Sequence, residues 1–94
     1  EGPGGHSWSD FGGVNPIHAA AQAMAQLSAM PLSANPRTTL TVSRMGGGLA
    51  INAIPQAAWF EVDLRATATE SLARVETALR SIVSAAVRDA TTRR

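Results

Sequence analysis

Ala57-Ala58-Trp59-Phe60-Glu61-Val62-Asp63-Leu64-Arg65 alternates apolar and polar side chains. Successive residues of a strand point to opposite faces, so Ala58, Phe60, Val62 and Leu64 share one side and Trp59, Glu61, Asp63 and Arg65 the other. One face therefore packs on a core while the other meets solvent or a cleft. A long helical pattern follows directly. Thr67 and Glu70 have the spacing of a capping box, and Leu72, Val75, Leu79, Ile82, Val83, Ala86 and Val87 form an apolar stripe. Glu70 with Arg74, and Glu76 with Arg80, stand four apart, as on a solvated helix face.

Working back from this stretch, Thr38 to Met45 reads as a second strand with Leu40 and Val42 on one face. Gly46-Gly47-Gly48 interrupts it, and a short apolar piece, Leu49 to Ile54, ends at Pro55. Further upstream, Asn15-Pro16 is a helix start, with Asn as the cap and Pro at the first helical position. Ile17, Ala20, Ala21, Met24 and Leu27 recur at helical spacing, and Pro31 with Asn35-Pro36 closes that helix. Glu1 to Gly13 is a loop holding His6, Trp8, Asp10 and Phe11. The order is helix, strand, strand, helix. Two strands make a poor independent sheet. The expected completion is β-α-β-β-α-β, a ferredoxin-like two-layer α+β sandwich with both helices on one face of an antiparallel sheet. Its outer strands would fall before Glu1 and after Arg94, and the Gly-rich start reads as a chain whose beginning has been removed.

Composition narrows the function. At 94 residues the chain is one domain, and with 45% apolar but only 4% aromatic residues its core rests on Ala, Val, Leu and Ile. Such a core is thin and gains from a neighbouring domain or a second copy. The net charge is +1 and the arginines are scattered apart from Arg93 and Arg94, which argues against nucleic-acid binding. Cysteine is absent, which removes disulfides and Cys-based metal sites and leaves the redox compartment open. No leader-like start and no apolar run of membrane-spanning length occurs, so the expectation is a cytoplasmic protein without a membrane partner. There is no HxxxH or HxD cluster, no G-x-S-x-G elbow and no P-loop. The chain is therefore expected to hold no self-sufficient active site and no metal.

Three clusters then raise a resemblance. Gly2-Pro3-Gly4-Gly5-His6-Ser7-Trp8, followed by Phe11-Gly12 and Asn15-Pro16-Ile17-His18-Ala19, resembles the opening of the M20 peptidase dimerisation, or lid, domain. Gly46-Gly47-Gly48 with Ile51-Asn52-Ala53-Ile54-Pro55 resembles its middle, and Glu61-Val62-Asp63-Leu64-Arg65 its closing strand. The resemblance runs from Glu1 to about Ser84 and keeps the clusters in order. It implies that residues 1–94 are one lid domain of a larger two-domain enzyme. That parent would be a homodimeric amide or peptide hydrolase with two zinc ions and a Glu base in a separate catalytic domain. His6 would reach the partner subunit's active site and donate a hydrogen bond to the developing oxyanion. Asn52 and Arg65 would bind the backbone or carboxylate of a peptide or N-acyl amino acid, with Gly47 and Gly48 letting backbone approach it. The Trp after His6-Ser7 sets the chain apart from the deacetylase and carboxypeptidase branches and suits a tripeptidase-like one.

Each residue also has a plainer reading. His6 and Asn52 are common turn residues, Arg65 can simply pair with Asp63 or Glu61, and His18 is structural or exposed. Trp8 and Phe11 are expected to pack under their loop, and Trp59 to lie at a domain interface. The alternative for the whole chain is a stand-alone ferredoxin-like ligand-binding or interaction module, which needs neither His6 nor Arg65.

Overall fold

The computed structural model describes residues 1–92. Its elements run β1 (Gly5–His6), α1 (Pro16–Ala29), β2 (Thr38–Gly47), β3 (Ala53–Ile54), β4 (Ala58–Ala66) and α2 (Thr69–Thr92). β2 and β4 pair antiparallel from Thr38↔Ala66 to Gly47↔Ala58. A bulge between Val42 and Arg44 adds one residue to β2. It keeps the faces in order, since without it Arg44 would point at the helices. With it, Arg44 stands opposite Glu61 on the outer face and forms a 3.0 Å ion pair there. β2 also runs through Gly46 and Gly47, so the glycines extend the strand instead of interrupting it.

Both helices pack on the Phe60, Val62 and Leu64 face, giving two layers of ferredoxin-like type. Asn15 caps α1 as its sequence implies, its Oδ1 accepting from the backbone N–H of Ile17 (3.0 Å) and His18 (3.3 Å). The buried stripe of α1 is Ala19, Ala23 and Leu27, one position round from the stripe predicted through Ala20 and Ala21. These residues, with Ala86 of α2, make the core, and Leu27 is its largest fully buried side chain. A core dominated by alanine lets the helices approach closely and buries little area per residue.

The predicted capping box at α2 does not form. The Thr67 N–H donates to the Arg37 carbonyl at 3.0 Å, and the helix begins two residues later, at Thr69. Glu76 and Arg80 pair at 3.0 Å, but no Glu70–Arg74 pair is seen among the described residues. Leu72 and Val87 of the predicted stripe are 36% and 54% exposed. The one strand bonded to β4 among the described residues is β2. Between β4 and the helices lies an apolar groove of about 610 Å³, lined by Phe60, Val62, Leu79, Val83 and Val87 among others.

β1 and β3 form a separate two-stranded ribbon (Gly5↔Ile54, His6↔Ala53) that the sequence pattern did not disclose. A backbone hydrogen bond from Gly2 N–H to the Gln56 carbonyl, 2.7 Å, ties it to the chain entering β4. The ribbon thus sits at the Gly47–Ala58 end of the larger ladder.

Candidate functional site

His6 owes its position to the turn that follows β1. Its carbonyl accepts from Asp10 N–H at 2.9 Å, while its own N–H donates to Asp10 Oδ2 at 2.7 Å. Asp10 reaches that position because residue 5 is glycine: φ is +141° there, and a Cβ would come within 2.7 Å of Asp10 Oδ2. The Trp8 N–H donates to His6 Nδ1 at 3.2 Å. A ring nitrogen that accepts carries no proton, so the ring proton lies on Nε2 and that edge is the donor. His6 is exposed, and its Nε2 makes no hydrogen bond among the described residues.

Asn52 is the residue just before β3, the opposite strand of the ribbon. Its carbonyl accepts from Ser7 N–H at 3.0 Å, which fixes the backbone of Asn52 beside that of His6. Its amide makes no hydrogen bond among the described residues and is exposed. The two residues are therefore neighbours in space although 46 positions separate them in sequence.

Gly47 and Gly48 lead out of β2 toward this ribbon. At Gly47, φ is +152° and a Cβ would sit 2.8 Å from the Ala57 carbonyl, so glycine is needed for the ladder to close. Gly48 lies against Ile17, its would-be Cβ 3.4 Å from Cδ1. Gly48 takes a φ of +86°, so packing at Gly47 and backbone conformation at Gly48 each favour glycine without a ligand.

Arg65 is elsewhere. It lies on the outer face of β4, seven residues past Ala58, or roughly 23 Å of strand rise. Its Nε and Nη2 donate to Asp63 Oδ1 and Oδ2 at 2.9 and 3.1 Å. Those hydrogen bonds, helped by the guanidinium charge, hold the Asp63 carboxyl below the usual carboxylate value and the Arg65 guanidinium above its own. The Nη1 end of the guanidinium has no partner among the described residues. It stands in a polar recess of about 510 Å³ lined by Arg37, Thr39, Thr41, Asp63, Arg65, Ala66 and Thr67.

The structure thus brings the backbones of His6 and Asn52 together and keeps Arg65 apart from them. Two contributors escaped the sequence reading. Asp10 has one signal, a carboxylate four residues after the His in a Gly-rich turn. Arg37 has none, because it sits in a connector whose path only the fold reveals. Trp8 and Phe11 do not pack under their loop; they are 88% and 89% exposed. A two-residue strand and a four-residue turn offer no interior to hold them. His18 is exposed, and Trp59 is half-exposed with the Arg44 guanidinium 5.6 Å above its ring. No three His, Cys, Asp or Glu side chains converge to hold a metal among the described residues, so this donor set does not suit zinc.

The sequence matches the M20 peptidase dimerisation domain over residues 1–91. The chain belongs to that family. A solved structure similar to this dimerisation domain is the aminobenzoyl-glutamate utilization protein from Klebsiella pneumoniae, at 27% identity and a TM-score of 0.84. The match covers 93% of this chain and 22% of that one, so the dimerisation domain spans under a quarter of the Klebsiella chain. No curated protein matches. No helix among the described residues is long and apolar enough to cross a membrane.

Proposed function

We propose that this dimerisation domain serves a zinc-dependent amide hydrolase as its lid, lending His6 to the active site of a second subunit. The observation that carries the reading is the β1–β3 ribbon, which brings the backbones of His6 and Asn52 next to each other and leaves both side chains exposed, with no hydrogen bond from His6 Nε2 or the Asn52 amide among the described residues. A donor aimed at a carbonyl oxygen as it becomes an oxyanion lowers the barrier by about 3 kcal/mol. Asn52 would hold the substrate backbone. Arg65, with its Nε edge occupied by Asp63, would offer its Nη1–Nη2 end to a carboxylate through two hydrogen bonds.

The separation of Arg65 from His6 supports an arrangement in which each site draws on two copies of the domain. One copy gives His6 and Asn52, and the other gives Arg65. A homodimer is part of this proposal, as is a catalytic domain in the same polypeptide. Two zinc ions would reside in that catalytic domain, supplying Lewis-acid chemistry when bound. The substrate would be a peptide or N-acyl amino acid; the name of the Klebsiella protein, with its aminobenzoyl-glutamate, fits the latter. We place the protein in the cytoplasm, which fractionation tests.

In the parent protein, His6→Ala should lower kcat by roughly 10²- to 10³-fold, as loss of one oxyanion donor does. Zinc content should stay unchanged. Parallel loss of zinc and turnover would mean that His6 supports the fold of the metal site and has no part in the transition state.

A further inference from the structure

We propose that Trp8 and Ile51 form an apolar rim beside the His6 donor edge that takes an apolar or aromatic group on the acyl side of the scissile amide. The proposal rests on the reading of His6 given above. Trp8 is 88% exposed and Ile51 102%, and Phe11 (89%) and Leu49 (97%) continue the same two loops. In a chain with two Trp and two Phe, half of the aromatic residues stand in the loop after His6 with their rings in solvent. Apolar groups exposed in two loops that converge on one point mark a contact surface, whereas scattered single ones need no explanation.

The ladder makes them converge. The Ser7 N–H bonded to the Asn52 carbonyl closes the ribbon, and Trp8 and Ile51 are the next residues on either side of that bond. Trp8 is also tied to the reacting ring by its own N–H on His6 Nδ1. Charge completes the argument. Residues 7–13 and 48–52 contain no cation, and their one carboxylate, Asp10, is engaged with the His6 N–H. A charged substituent placed here would find no counter-ion. The cationic contacts lie in the Arg65 recess, which suits the carboxylate of the leaving amino acid, so the rim is left to the acyl half.

The test uses the zinc-loaded parent protein and a panel of N-acetyl and N-benzoyl amino acids. For the amino acid hydrolysed best, the wild type should favour benzoyl over acetyl in kcat/KM by roughly tenfold or more, as pocket contacts of that size do. Trp8→Ala and Ile51→Ala should each collapse that ratio toward one, the benzoyl substrate losing far more kcat/KM than the acetyl one, and Trp8→Phe should keep most of it. A wild type indifferent to the acyl group would overturn the proposal. So would variants that slow both substrates equally or lower Tm with the ratio intact, since the rim would then be covered by the catalytic domain. His6→Ala separates this proposal from the reading beneath it: unchanged turnover there would sink the role of His6, whatever the rim does.

Discussion

The His6 ring is oriented by contacts that can be removed while the ring itself is kept. Asp10 accepts the His6 N–H at 2.7 Å, and Trp8 N–H holds Nδ1. Asp10→Ala leaves the imidazole in place but frees its turn. In the parent protein we expect kcat to fall by about fivefold, a typical hydrogen bond being worth about 1 kcal/mol. KM and zinc content should hold, and Asp10→Asn should recover part of the loss; steady-state kinetics with metal analysis checks this. At Arg65 the expectation concerns pH. The Asp63 carboxyl titrates below its unfolded value because of its hydrogen bonds to Arg65. Its contribution to stability is therefore present above the ordinary carboxylate value and lost only as pH falls through the depressed folded one. The pair is exposed, so that contribution is small. The useful readout is the Asp63 carboxyl signal in an NMR titration, which should move back up toward the usual value in Arg65→Ala. An unmoved midpoint would show that Arg65 is not the cause.

For the elements, the alternation of residues 57–65 translated directly into β4, and Asn15-Pro16 into the start of α1, because strand period and helix capping are local properties. The capping box at Thr67 failed for a non-local reason: the Arg37 carbonyl takes the Thr67 N–H that Glu70 would have to accept, and α2 begins at Thr69, one residue later than a Thr67 cap would start it. β1 and β3 left no trace in the pattern, since strands of two residues have no period to read. The site was legible to the same degree. His6 and Asn52 stood out by the clusters around them, but their adjacency depends on the β1–β3 ladder, and the isolation of Arg65 depends on the length of β4. The helix layer carries two measurable consequences. Leu27→Ala empties the best-buried position of an alanine-rich core and should cost about 3 kcal/mol. Asn15→Ala should cost about 1 kcal/mol. Urea denaturation measures both, and Leu27 proving the milder of the two would contradict this description of the core.

The whole molecule measures 51 × 24 × 17 Å, with the His6–Asn52 ribbon at one end of the β2–β4 ladder and Arg65 near the other. An elongated domain of this kind, with β4 bonded on one side only among the described residues and a thin core, should associate. Sedimentation of the isolated domain should show a mass above the monomer at high concentration, and a clean monomer would count against that. The central claim is that one subunit supplies His6 and the other Arg65, and it is tested most directly by subunit mixing in the parent protein. His6→Ala and Arg65→Ala homodimers should each be severely impaired. A dimer with one chain of each kind has one site that lacks both residues and one that keeps both. Random exchange should therefore restore about a quarter of wild-type activity, half of the dimers being mixed and half of their sites intact. No recovery after verified exchange of subunits would contradict the account, placing His6 and Arg65 of one chain in the same active site.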